Sequence, residues 1–190
     1  MSSGIPHANI AATGPVTRGD FLMLLFWFAD TRAVPHVRGI AGLARLTRLA
    51  LILGEETGMS REITPFFDFC ATPAGGVASA DVWTELLALR AYQVIQPLPE
   101  PGVAPGEEAS ERAYLLSGHI PAHERAHYPM PTRFERDVLT NKGTFFAAKR
   151  EDQMVERRIA VFQAVVAWNE MPLTALTETA STYLRQAAAR

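Results

Sequence analysis

Residues 79–93 read SADVWTELLALRAYQ, and the fold turns on this stretch. Ser79 stands where a helix N-cap belongs, because its hydroxyl oxygen can accept from a backbone N–H of the first turn. Asp81 follows near the positive end of the helix. Val82, Trp83, Leu86, Leu87 and Leu89 form an apolar side, and Asp81, Thr84, Glu85, Ala88 and Ala91 are left facing outward. The spacing predicts a helix over 79–93 with its Val-Trp-Leu side packed inward. Before it, Thr72-Pro-Ala-Gly-Gly76 reads as a turn. The alternating aromatic run from Ile63 to Phe69 reads as a short strand, which Pro65 pushes toward a sheet edge. After it, Val94–Gln96 reads as a strand ended by Pro97.

Toward the N-terminus, residues 1–18 are small, polar and proline-containing, the composition of a flexible arm. Asp20 is placed to cap a helix from Phe21 to about Ala33, whose Leu22, Leu24, Leu25, Phe26, Trp27 and Phe28 leave it no polar face. Such a helix is buried centrally or covered by another subunit. A second helix is expected from Gly39 to about Glu56. Leu43, Leu46, Ala50 and Leu53 form its buried stripe, Arg45 and Arg48 share another face, and Gly58 serves as terminator.

Toward the C-terminus, residues 97–111 hold four prolines and four acids and read as a flexible loop. Arg112–Ser117 reads as a returning strand, 118–133 as irregular, and Phe134–Leu139 as a further strand candidate. Thr140 is placed to cap a helix through Phe145, Phe146 and Lys149. The last forty residues read as two amphipathic helices broken at Pro172. Their stripes are Val155, Ile159, Phe162 and Val166, then Leu173, Leu176, Ala180, Tyr183, Leu184 and Ala187. Such a hairpin needs a surface to cover.

The resulting order is helix, helix, strand, helix, strand, long loop, strand. Three passages carry a resemblance to small prokaryotic winged-helix proteins of the PadR/MarR type. Residues 39–53 (GIAGLARLTRLALIL) resemble the leucine-rich early helix. Phe67-Asp-Phe69, Gly75–Gly76, Ser79, Val82, Leu86, Leu89 and Val94-Ile95 are similar to the strand, turn, capped recognition helix and first wing strand. Leu139-Thr-Asn-Lys-Gly143 resembles the Leu-Thr-x-x-Gly ending of such domains. The resemblance implies a mainly α, α+β fold: a winged helix-turn-helix core over 19–150 with a small antiparallel β-hairpin, a long wing insertion at 97–133, and an oligomerising helical hairpin at 151–190. It also implies a dimer that binds duplex DNA.

Charge qualifies that function. The chain carries 18 basic and 20 acidic residues, a net charge of −2. Duplex affinity comes mainly from neutralising phosphates. Yet the expected recognition helix is net −1 and the loop 97–111 is net −4. Residues 112–150 carry seven bases against three acids. DNA contacts are therefore expected at Arg45, Arg48, Arg90, Arg112, Arg133, Arg136 and Lys142. The alternative is an interaction subunit of a multi-protein assembly, such as a chromosome-organising or defence complex, with little direct DNA contact. The apolar residues Phe26, Trp27, Phe162, Trp168 and Tyr183 would then form the interface.

No enzymatic arrangement stands out, and no cofactor is expected. His119, His123 and His127 at i, i+4, i+8 would line one helical face and could hold zinc, but Pro121 and Pro129 oppose a regular helix. Cys70, the single cysteine, lies near Asp68 and reads as a structural thiol. Glu55-Glu56 and Glu107-Glu108 are adjacent pairs rather than facing carboxylates. No GxxxxGK[ST], HExxH or GxSxG occurs. The longest apolar run, Phe21–Ala29, is too short for a membrane span. One cysteine and no signal-peptide pattern point to a reducing cytoplasm.

Overall fold

The computed structural model describes residues 16–31, 38–63, 65–100, 106–130, 132–151 and 158–189. The expected arm at 1–18 lies almost wholly outside them. The described chain is mainly helical with a small antiparallel sheet. Among the described residues, no helix is long and apolar enough to cross a membrane.

Helix α1 spans Arg18–Thr31. Its cap is Thr17, not Asp20. Thr17 Oγ1 accepts from the Asp20 N–H at 3.1 Å, and Asp20 Oδ2 accepts from the Thr17 N–H at 2.9 Å. This reciprocal pair satisfies two end groups, so Asp20 belongs to the first turn. The apolar helix is central: Phe21, Leu22, Leu25 and Phe26 are fully buried.

The second helical stretch opens with a two-residue strand. β1 (Ile40–Ala41) precedes α2 (Gly42–Thr57), which Gly58 ends at φ +73°. β1 pairs with β5 (Glu135–Leu139), and Gly39 beside it sits at φ +76° where a Cβ would run into the Asp137 carbonyl oxygen. α2 is buried along nearly its whole length, wider than the single predicted stripe. The reason is that α6 (Arg158–Asn169) and α7 (Leu173–Ala188) both pack on α2, and α6 packs on α1 as well. The C-terminal hairpin therefore covers its own chain.

Residues 66–69 form no strand. Their side chains build an aromatic cluster instead: Phe66 and Phe67 pack on Phe21, with ring centroids 5.6 and 6.3 Å apart. A short hairpin of β2 (Cys70–Ala71) and β3 (Val77–Ala78) then leads into α3 (Ala80–Ala91). Ser79 caps α3 as expected, accepting from the Val82 N–H at 3.2 Å. Val82, Trp83, Leu86 and Leu89 are its buried side.

β4 (Ile95–Pro99) runs antiparallel to β5, with Ile95 opposite Leu139 and Pro99 opposite Glu135. The sheet order is β1-β5-β4, so β4 is an edge. Pro97 and Pro99 suit an edge because neither has an N–H to offer a further strand.

The predicted loop 97–111 and the predicted strand Arg112–Ser117 are both corrected. Residues Gly106–Gly118 form one helix, α4. It lies against α2, and the carboxylates that read as solvated are buried there. Chain returns through a single 3-10 turn at Arg125–His127 to β5. Helix α5 (Asn141–Glu151) follows under the Thr140 cap, whose Oγ1 accepts from the Gly143 N–H at 3.1 Å.

Candidate functional site

Most of the arginines expected to meet phosphates are engaged inside the fold. Arg48 is 1% exposed; its Nη1 donates to Glu111 Oε2 at 2.9 Å and to the Ala44 carbonyl, and its Nε to Thr177 Oγ1. Arg90 forms a bidentate pair with the buried Asp137 and also meets Glu135. Arg112 pairs with Glu108 four residues earlier and lies 5.2 Å over the Trp83 ring. Arg45 donates to the carbonyls of Asn169 and Met171, at the C-terminal end of α6. Burial, with Arg136 and Arg48 nearby, pushes its guanidinium below the ordinary value. Arg136 pairs with Glu100 across the β4–β5 hairpin. Of the seven expected contacts, Arg133 and Lys142 stand exposed to solvent. The other five share one physical reason: a guanidinium drawn wholly or partly out of water requires a carboxylate or carbonyl partner, and these found theirs within the chain.

The expected interface residues are similarly absorbed. Phe26 is fully buried in the core. Trp27 is half-buried and donates Nε1–H to Glu151 Oε2 at 2.8 Å. Trp168 Nε1–H and the Tyr183 hydroxyl both reach Glu56, at 2.9 and 3.4 Å, closing α6 and α7 onto α2. The Phe162 side chain lies outside the described residues.

The three histidines do not converge. α4 ends at Gly118; His119 faces Cys70 and stacks near Tyr114, His123 lies beside Glu124, and His127 ends the 3-10 turn. Among the described residues no cluster of His, Cys, Asp or Glu is placed to hold a metal. The Cys70–His119 contact, at 3.9 Å, does not activate the thiol: burial pushes Cys70 above its ordinary value, and Asp68 and Glu111 add to that while Tyr114 opposes it.

What remains on the surface is a groove between α1, α3 and α5. It has a volume of about 390 Å³. Its floor is Met23, Ala88 and Leu89, and its walls are Tyr92 on one side and Phe145 and Phe146 on the other. Tyr92 is 69% exposed, Phe145 57% and Phe146 43%. Adjacent phenylalanines on a helix are about 100° apart around its axis, so the two rings leave α5 in different directions. Here Ala147 and Gly143 take the inward positions. Two lysines, the only ones in the chain, flank the aromatics. Lys142 donates to the Tyr92 carbonyl at 2.7 Å, and Lys149 lies 4.6 Å over the Phe145 ring. Among the described residues neither lysine meets a carboxylate. The acids of the groove are otherwise occupied or masked: Asp20 pairs with Arg150, and burial raises the Glu85 carboxyl despite nearby Arg18. The predicted sites missed this groove, although the Phe145-Phe146 pair was its signal.

No protein-family model, curated protein or solved structure matches the chain.

Proposed function

We propose that this chain is a non-enzymatic winged-helix interaction module that docks a protein segment in the α1–α3–α5 groove. The winged-helix part of the reading rests on element order and on the sheet order β1-β5-β4, which sets a hairpin beside α3. α4 and the 3-10 turn would be an insertion between the two wing strands. The single observation that carries the function is the solvent-facing trio Tyr92, Phe145 and Phe146 around an apolar floor. Exposed aromatics around a groove are the anchoring surface of helix-in-groove recognition.

The partner's chemistry follows from the rim. Apolar anchors fill the groove, and acidic residues at their flanks meet Lys142 and Lys149. Duplex DNA fits less well, because five of the seven residues expected at phosphates are drawn into the fold on carboxylates or carbonyls, which leaves Arg133, near Glu135, and Lys142, on the Tyr92 carbonyl, as the exposed ones.

The reading is tested by selecting a random peptide library against the purified chain. Selected peptides are expected to combine aromatic or aliphatic anchors with Asp or Glu, and to lose at least tenfold in affinity against the F145S/F146S variant. Peptides that bind that variant equally well overturn the reading. So does tight binding of a random duplex whose affinity falls steeply with added salt and is lost on R133E.

A further inference from the structure

A second cavity, independent of the groove, lies where α2, α4, α7 and the β2–β3 turn meet. Its volume is about 530 Å³, within the range of small-molecule sites. At its base is the Arg48–Glu111 pair, with side chains 1% and 2% exposed. Glu111 Oε2 accepts from Arg48, but Oε1 is buried with no hydrogen-bond partner among the described residues. Thr47 Oγ1, alongside, is also buried and makes no hydrogen bond of normal geometry, although it lies close enough to Glu111 to favour the ionised form. A buried carboxylate oxygen without a donor is a costly arrangement that an incoming donor would relieve.

The sign of that donor follows from the charges. Arg48 spends Nη1 on Ala44 and Glu111 and Nε on Thr177. Glu178, also lining the cavity, adds a second carboxylate. With Glu111 ionised the cavity therefore holds two negative charges against one positive, which repels anions. Its other walls include Pro73, Ala74 and the Tyr114 side chain, which suit a short apolar stem.

We infer that this cavity binds a small organic cation, an ammonium or amidinium on an apolar stem, with Glu111 as its counter-ion. The cationic group donates to Glu111 Oε1, and the stem lies along Pro73, Ala74 and Tyr114. The electrostatics of Glu111 agree. Burial, only partly opposed by Arg48 and Thr47 and aided by Glu108, pushes the Glu111 carboxyl up to about 7. The groups acting on Glu111 are Arg48 and Thr47 from α2, Glu108 from α4 and the Cys70 thiol from β2, and Glu178 from α7 lines the same cavity. Cys70 is pushed upward, out of the neutral range. A bound cation would hold Glu111 ionised, so binding releases a proton.

Titration calorimetry with benzylamine, which stays protonated from pH 6 to pH 8, tests this against the neutral isostere benzyl alcohol. Benzylamine is expected to bind and benzyl alcohol not. Affinity should rise about tenfold between pH 6 and pH 8, the change in ionised fraction of a group titrating at about 7. E111Q should abolish binding. Because E111Q also alters the Arg48 pair, A74W serves as a second variant, blocking the cavity from an exposed turn position. Equal binding of alcohol and amine overturns the inference, as does unchanged binding by A74W or no benzylamine binding at millimolar concentration.

Discussion

The Arg90 guanidinium donates Nε and Nη2 to the two carboxylate oxygens of Asp137, at 2.7 and 2.8 Å. This fork joins the last turn of α3 to the middle of β5. Asp137 is 1% exposed while Arg90 is 17% exposed, so the two partners are not equivalent. Losing Arg90 strands a buried carboxylate. Losing Asp137 leaves an arginine that still has Glu135 and partial access to water.

R90A is therefore expected to destabilise the fold by roughly 3–5 kcal/mol, and D137A by less. Urea unfolding of both variants checks the order. An R90A variant as stable as the parent would mean that Arg90 faces solvent and is free for other partners.

The Thr140–Gly143 turn fixes how α5 leaves the sheet. Thr140 Oγ1 donates to the Gln93 carbonyl at 2.6 Å and accepts from Gly143 N–H. Gly143 lies so close to the Val94 carbonyl that a Cβ there would collide with its oxygen. T140V should cost about 1 kcal/mol by loss of the cap. G143A should cost roughly 1–3 kcal/mol by forcing α5 off the hairpin. Thermal unfolding monitored by circular dichroism separates the two.

Those residues also show what was legible. Local signals read correctly: the Ser79 cap, the Val-Trp-Leu buried side of α3, the Gly58 terminator, and the presence of strands after Val94 and up to Leu139. α4 did not, because its meaning is non-local. Glu111 and Arg48 are 63 residues apart, and nothing in a run of acids says which of them will find an arginine. The Glu108–Arg112 spacing of four was a helical signal, but the prolines at 97–105 outweighed it. Phe66, Phe67 and Phe69 have strand character, yet clustering around Phe21 took precedence over pairing. The same non-locality hid the fate of the DNA-facing arginines. Charge counting treats every arginine as available; the fold decides which ones are.

Stability should carry a signature of Glu111. Its carboxyl titrates at about 7 in the folded chain against an ordinary 4.5. The folded state thus holds a proton that the unfolded state has released between those values. The contribution is fully present below pH 4.5, declines as pH rises through 7, and is level above it. The full difference is about 3 kcal/mol. Burial also raises Asp30, Glu85 and Asp137, which slope the same way. The measurement is therefore the difference between parent and E111Q in urea midpoints from pH 5 to pH 8. Parallel profiles would show that Glu111 titrates normally.

Cys70 offers a kinetic test. The thiolate is the reactive form, and burial holds this thiol above its ordinary value. Alkylation by iodoacetamide at pH 8 should be slower than for a free thiol and still be rising at pH 9. A rate that levels off below pH 8 would mean that His119 activates it.

The last contrast is between two sets of aromatics that look alike in the sequence. Phe26 lies in the most apolar run of the chain, whose helix reads as buried centrally or covered by another subunit; Phe145 and Phe146 lie in a short polar-flanked helix. The fold buries Phe26 completely and leaves Phe145 and Phe146 in solvent. Truncating a buried phenylalanine removes its packing and leaves a cavity, so F26A should cost roughly 3–5 kcal/mol. Surface substitutions change stability by about 0.5 kcal/mol or less, so F145S/F146S should leave the urea midpoint nearly unchanged. A large loss in F145S/F146S would place those rings in the core and remove the docking groove with them. A small loss in F26A would return α1 to the surface, where a second subunit could cover it.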